Sequence, residues 1–200
     1  MKEYTVAIAD SLAALETAPR LRLEHFVPAD GFCPETTAAL VYIPGTGLCC
    51  RMRSEESSPR ALVTEPDGDT YKDSCMEWFI NCAPEQGDAY LNFEANPLGT
   101  LHCKLGKDRY VRQALPAEVL RPQAEALVGD GFWQVDYLLP DETIRAVFGK
   151  DGLKSGDVLK SNFYKCGDET ATPHWGMWSE VRLSRLDFHR PDFFGTLIVK

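Results

Sequence analysis

The stretch Ala89-Tyr90-Leu91-Asn92-Phe93-Glu94-Ala95 decides the fold class. Successive side chains of a strand point to opposite sides, so Ala89, Leu91, Phe93 and Ala95 share one face and Tyr90, Asn92 and Glu94 the other. One face is built to pack and the other is polar, the pattern of a half-buried strand. The same alternation runs through Ser74-Cys75-Met76-Glu77-Trp78-Phe79-Ile80 and through residues 131–139. Further apolar runs between Gly, Pro and Asp signals lie at 20–26, 38–43, 47–53, 100–105, 158–166, 182–188 and 195–199. About ten strands in all suit two packed sheets, and an all-β sandwich is the expected class.

Helical periodicity is scarce. Residues 140–149 predict one short helix, with acidic residues at its start and Gly149 at its end. Residues 116–127 offer a second, but Pro122 interrupts them. The polar stretch 54–73 carries Pro59, Pro66 and Gly68 without a hydrophobic period and reads as a long loop. Neither a repeat nor a linker divides the chain, and 200 residues that are 44% hydrophobic can bury one sizeable core, so residues 1–200 are read as one domain.

The formal net charge of −9 repels a phosphate backbone, which argues against nucleic acid as a partner. Asp10 cuts short any apolar leader, and no window approaches the roughly 18 apolar residues of a membrane span; the expectation is a cytoplasmic protein without membrane partner. Seven cysteines at 33, 49, 50, 75, 82, 103 and 166 include no C-x-x-C pair. Their number and spacing suit neither a disulfide framework nor a zinc site, so reduced, mostly buried thiols are expected. The oligomeric state is left open.

The common catalytic signatures are missing: G-x-S-x-G, H-E-x-x-H, G-x-x-x-x-G-K-[ST] and G-x-G-x-x-G. Glu77 and Glu94 project from what the pattern makes polar strand faces, where paired carboxylates can do acid and base work on a glycoside or, more simply, accept hydrogen bonds from a polar ligand or from Arg109 and Arg112. Asp67, Asp69 and Asp73 space three carboxylates in one loop, a possible calcium site, although Trp78 stands where an EF-hand needs its last Glu. A haem held by one His and one Met, Met177 or Met52, has little to recommend it, and His25, His102, His174 and His189 are scattered. The segment Thr172-Pro173-His174-Trp175-Gly176-Met177-Trp178 places two indoles in a Gly- and Pro-bearing loop. A loop Trp offers a flat apolar face to a sugar ring while nearby amides, carboxylates and guanidinium groups bond its hydroxyls; anchoring the loop is the equal alternative.

Three further segments carry a family resemblance: residues 71–80 (Tyr71-Lys72-Asp73-Ser74-Cys75-Met76-Glu77-Trp78-Phe79-Ile80), 90–99 (Tyr90 to Gly99) and 161–168 (Ser161-Asn162-Phe163-Tyr164-Lys165-Cys166-Gly167-Asp168). In order, and with a closing Phe188-His189-Arg190-Pro191-Asp192-Phe193-Phe194-Gly195, they resemble the family 9 carbohydrate-binding modules. That resemblance implies a jelly-roll or immunoglobulin-like β-sandwich of the DOMON-like group, without cofactor, whose loops and one sheet face take a saccharide. Two aromatic rings clamp a sugar in such modules, and the motif puts Tyr71 at one ring position with Trp175 or Trp178 opposite. Glu77, Glu94, Asn96, Arg109, Arg112, Asn162 and Lys165 become the polar candidates. Non-catalytic saccharide binding is thus the first reading; an enzyme using Glu77 and Glu94 on a small sugar, or an interaction domain without small ligand, are the alternatives.

Overall fold

The computed structural model describes residues 2–28 and 30–200. Fourteen strands form two sheets joined by the first of them. In chain order they are β1 (Glu3–Ile8), β2 (Leu21–Arg22), β3 (His25–Val27), β4 (Thr36–Ile43), β5 (Gly47–Ser54), β6 (Cys75–Asn81), β7 (Tyr90–Ala95), β8 (Leu101–Gly106), β9 (Arg112–Ala114), β10 (Gln123–Val128), β11 (Trp133–Pro140), β12 (Val158–Cys166), β13 (Trp175–Met177) and β14 (Gly195–Val199). One sheet runs β10-β11-β5-β4; the other runs β14-β12-β6-β7-β8-β9, with β13 and β3 added along the far half of β12. β1 pairs with β14 through residues 3–6 and with β4 through Ala7 and Ile8, so the sheets meet along it.

The alternation does what its period requires. Trp78, Leu91, Phe93, Cys103 and Phe163 point inward from the second sheet and meet Leu40, Met52, Trp133, Val135 and Tyr137 from the first, all at most 2% exposed. Trp78 stacks on Phe93 with centroids 5.0 Å apart, and the Tyr137 hydroxyl donates to the Met76 carbonyl at 2.5 Å, bridging the sheets. Burying each such side chain contributes about 1.5–3 kcal/mol, which is ample reason for the pattern to dictate the register.

The short helix α1 (Asp141–Phe148) ends on Gly149 at φ +67°, the left-handed cap its sequence announces. Ser54 closes β5, and residues 55–73 are a loop, with a single 3₁₀ turn at Thr70–Lys72. Four expectations are corrected. Residues 123–128 form an edge strand rather than part of a helix, because Pro122 stops helical hydrogen bonding and β11 offers a ladder. Residues 182–188 form no strand and instead lie across the outer face of the second sheet, where Phe188 stacks on Tyr164 at 4.1 Å. Residues 175–177, expected within a Gly- and Pro-bearing loop, form strand β13, because β12 and β3 offer ladders on its two sides. β1, which the sequence pattern did not single out, owes its conformation to parallel partners far away in the chain. No helix among the described residues is long and apolar enough to cross a membrane. Cys49, Cys50, Cys75, Cys82, Cys103 and Cys166 are buried and unbridged; burial pushes the Cys49 thiol up to about 11 and the Cys103 thiol up to about 12.

Candidate functional site

The outer face of the second sheet is half apolar and half polar. Registers between neighbouring strands lay it out in rows: Tyr164, Glu77, Glu94 and His102 are directly opposed across β12, β6, β7 and β8, and the next row holds Asn162, Phe79, Asn92 and Lys104. Phe79, Tyr90, Tyr164, Phe188 and Phe194 form a second apolar cluster that carries the C-terminal segment. Beside it, Glu77, Glu94, His102, Lys104 and Arg112 floor a cleft of about 850 Å³.

The walls are loops held in place by buried polar groups. Asp73 is fully buried and accepts from the Leu62 and Val63 amides (both 2.8 Å), from Asn96 Nδ2 (2.9 Å) and from Arg60. Burial alone would raise its carboxyl; the Val63 amide, Asn96, the Leu62 amide and Arg60 outweigh that and hold it below the usual range. The loop so pinned presents Tyr71, 37% exposed, at the cleft. The Asp168 amide bonds the Tyr71 carbonyl at 3.2 Å, and Asp168 Oδ1 accepts the Trp175 indole N–H at 2.6 Å. One residue thereby fixes both cleft-lining rings, Tyr71 through its backbone and Trp175 through its side chain.

The floor is electrostatically unusual. Burial, and then the charge of Glu94 opposite, push the Glu77 carboxyl well above the ordinary range. Burial also raises Glu94, but His102, Arg112 and the Asn92 amide at 2.7 Å favour its ionised form. Both carboxyls are raised, Glu77 further than Glu94, so a proton held by the pair is favoured on Glu77. Glu77 and Glu94 are directly opposed, which sets their Cβ atoms about 4.5–5.5 Å apart on one floor. His102 Nδ1 bonds the Asp67 and Gly68 carbonyls at 2.9 and 3.2 Å, which makes it the N–H donor and leaves Nε2 buried without a partner. Asn92 Oδ1 and Arg112 Nη1 are likewise buried and unbonded, the latter 3.6 Å from Glu94 Oε1. In a native fold three such groups in one place find their partners in water, an ion or a polar ligand.

Of the ten side chains singled out from the sequence, Tyr71, Glu77, Glu94, Arg109, Arg112 and Trp175 line this cleft. The other four do not. Asn96 spends its amide on Val63 and Asp73 and its carbonyl on the Leu98 and Thr100 amides, closing the loop rather than facing a ligand. Asn162 is fully buried and pins both the amide and the carbonyl of Ser179. Lys165 follows the inward parity of Phe163 and lies between the sheets, with Nζ donating to His174 Nε2 (2.9 Å) and the Cys166 carbonyl (2.9 Å) and paired with Glu56 Oε2 (3.2 Å). Trp178, 2% exposed, packs edge-on against Phe163 in the core. The loop carboxylates disperse as well: Asp67 goes to Arg121 and the Cys103 amide, Asp69 to Lys72, and Asp73 to the loop. Among the described residues no three potential metal ligands converge. His102 and Lys104 were not expected in the site. Their signal lay in the apolar alternation of Leu101, Cys103 and Leu105, which sends the residues between them to the opposite face.

Among curated proteins, none matches this chain. Among solved structures, a putative carbohydrate-binding protein from Bacteroides uniformis ATCC 8492 superposes with a TM-score of 0.84 at 27% identity, covering 100% of this chain and 99% of that one. A carbohydrate-binding module of family 9 from Caldicellulosiruptor kristjanssonii, in complex with glucose, has the same fold at 10% identity and TM-score 0.72, over 100% of this chain and 96% of its own. A family 9 carbohydrate-binding module from Caldicellulosiruptor kristjanssonii in complex with cellotriose gives 8% and 0.71, over 100% and 94%. The model of carbohydrate-binding family 9 matches residues 25–199. That span takes in every strand but β1 and β2, with the cleft and the loops around it, and the chain belongs to carbohydrate-binding family 9.

Proposed function

We propose that the protein is a non-catalytic carbohydrate-binding module and that its saccharide lies in the cleft over β6, β7 and β8. The observation that carries this reading is the pairing of two ring systems tied to Asp168 with a floor of unmatched hydrogen-bonding atoms. A sugar needs both: an apolar ring face stacks on an aromatic, and each hydroxyl donates once and accepts from others. Tyr71 and Trp175 supply the rings. Arg112 Nη1 donates, Asn92 Oδ1 accepts, and the Glu77 and Glu94 carboxyls supply acceptor oxygens and, where protonated, a donor, so hydroxyls of either polarity find partners. Family membership and the sugar complexes of family 9 modules from Caldicellulosiruptor kristjanssonii support the same reading.

A saccharide-library screen of the purified protein tests it, with calorimetric titration and product analysis on each hit. Binding with stoichiometry one and no turnover is the expected result. Failure of every mono- and oligosaccharide to bind would overturn the reading, and release of new reducing ends would replace it with glycoside chemistry at Glu77 and Glu94.

A further inference from the structure

One end of the cleft carries charge that a neutral sugar does not need. The chain as a whole is strongly acidic, and five basic residues, Lys104 and four arginines, line this one cleft beside the carboxyl groups of Asp69, Glu77, Glu94, Asp168 and Asp187. Two of the five are already neutralised: Arg109 pairs with Asp187 at 2.9 Å and Arg190 with Asp192 at 2.6 Å. Lys104 and Arg185 have no ion-pair partner among the described residues, and Arg112 approaches Glu94 only at 3.6 Å, too long for a hydrogen bond. Glu77 adds no opposing charge while it holds its proton.

Local structure converges these groups. His102 and Lys104 are two apart on β8 and so share the outer face. Arg112 sits opposite Gly106, and a Cβ there would fall 2.4 Å from Arg112 Cγ; the glycine lets the guanidinium cross β8 toward Glu94. Nη1 of Arg112 and Nε2 of His102, a residue only 7% exposed, both end there buried and unbonded. His189 shows the result: burial, then Arg112, Arg109, His102 and Lys104, press its imidazole down to about 2, so it stays neutral and accepts or donates against the Tyr90 hydroxyl at 2.9 Å. Tyr110, 88% exposed, stands at the rim in the β8–β9 turn. Four inter-strand steps of about 4.8 Å put β8 roughly 19 Å across the sheet from β13 and Trp175, more than one sugar ring spans.

We propose that Lys104 and Arg112 form an anion subsite, and that the saccharide bound in this cleft is an acidic one whose carboxylate or sulfate or phosphate ester sits at the β8–β9 end. The proposal rests on the saccharide reading above and narrows its ligand class. A guanidinium and an ammonium held in a partly dry cleft make charge-assisted hydrogen bonds to such a group.

Matched ligand pairs test the proposal by calorimetry at low ionic strength. One arm compares a uronic-acid disaccharide with its neutral counterpart, and a second compares a sulfated or phosphorylated sugar with the unmodified one. The acidic member of at least one arm should bind about tenfold tighter or more, as one charge-assisted hydrogen bond implies. The advantage should shrink as salt is raised, and the arm that shows it identifies the acid. Lys104→Gln, whose melting temperature should match the wild type, should remove most of that advantage, read as the ratio of acidic to neutral affinity within the same variant. Neutral and acidic members binding alike, or an acidic preference that survives Lys104→Gln, would overturn the anion subsite while leaving the saccharide reading in place. No binding by any member of any pair would overturn both.

Discussion

Replacing Trp175 by alanine separates a sugar platform from a structural anchor, because the structure gives different magnitudes for stability and for binding. The indole is partly exposed at the cleft and makes one hydrogen bond, to Asp168 Oδ1 at 2.6 Å. Losing that donor to a half-buried carboxylate costs about 1–2 kcal/mol. For a chain of 200 residues, this lowers the melting temperature by about 2–8 °C. Trp178 is the internal control: 2% exposed and edge-on to Phe163 at 5.6 Å, its truncation should cost about 3–5 kcal/mol and roughly 6–20 °C. Affinity should move differently. An aromatic platform at the centre of a binding site contributes about 2 kcal/mol or more, so Trp175→Ala should weaken the best saccharide roughly 30-fold. Trp175→Phe keeps a ring but loses the N–H, and should fall between. Differential scanning calorimetry and isothermal titration on the three variants are the assays. A Trp175→Ala protein that stays folded and binds within about twofold of wild type refutes the platform. One that melts as low as Trp178→Ala makes the ring structural.

Glu77→Gln should stabilise the protein at pH 8 and change little at pH 4. Burial and Glu94 raise the carboxyl in the folded state, so the folded chain retains a proton that the unfolded chain releases above about pH 4.3, and this group's contribution is lost as pH rises through its folded value. Equal pH slopes for wild type and variant in chemical denaturation would contradict the assignment. Asp73 has the opposite sign: its folded carboxyl is lowered, its contribution is present above the unfolded value and is lost as pH falls through the folded one. Asp73→Ala should therefore destabilise at pH 7 by about 2–3 kcal/mol, release the loop of Leu62 and Val63 to rapid amide exchange, and converge on wild type in acid. Lys165→Met should cost about 3–5 kcal/mol, because Glu56 is left buried with only its Ser74 and Trp133 donors. Adding Glu56→Gln should recover part of the loss, and failure to do so would show that the pair is not coupled.

The parity of the strands was legible because a period of two leaves its mark on every residue. From it the inner faces of β6, β7 and β12 follow, and with them the outward Glu77 and Glu94. Parity also contained two answers that residue type obscured. Lys165 has the inward parity of Phe163, and Trp175 and Trp178 are three apart, so one indole faces the cleft and the other the core. A lysine and a loop tryptophan invite a ligand reading, but the buried Glu56 and His174 around Lys165, and Phe163 beside Trp178, come from distant parts of the chain.

What the sequence determined by itself was therefore local and periodic: the all-β class, the strands with strong alternation, the α1 helix with its Gly149 cap, the loop at 55–73 and the motifs that resemble a carbohydrate-binding family. Only the tertiary structure decided which polar residues meet. Asn96 and Asn162 became loop fasteners, while His102, Lys104, Asp168 and His189 joined the cleft. The reason is physical: a strand's period fixes which side a residue faces, but whether that side is covered depends on the path of segments such as 55–73 and 180–190. Those segments have no period of their own and are positioned by single buried groups, Asp73 and Asn162, whose partners lie far off in sequence.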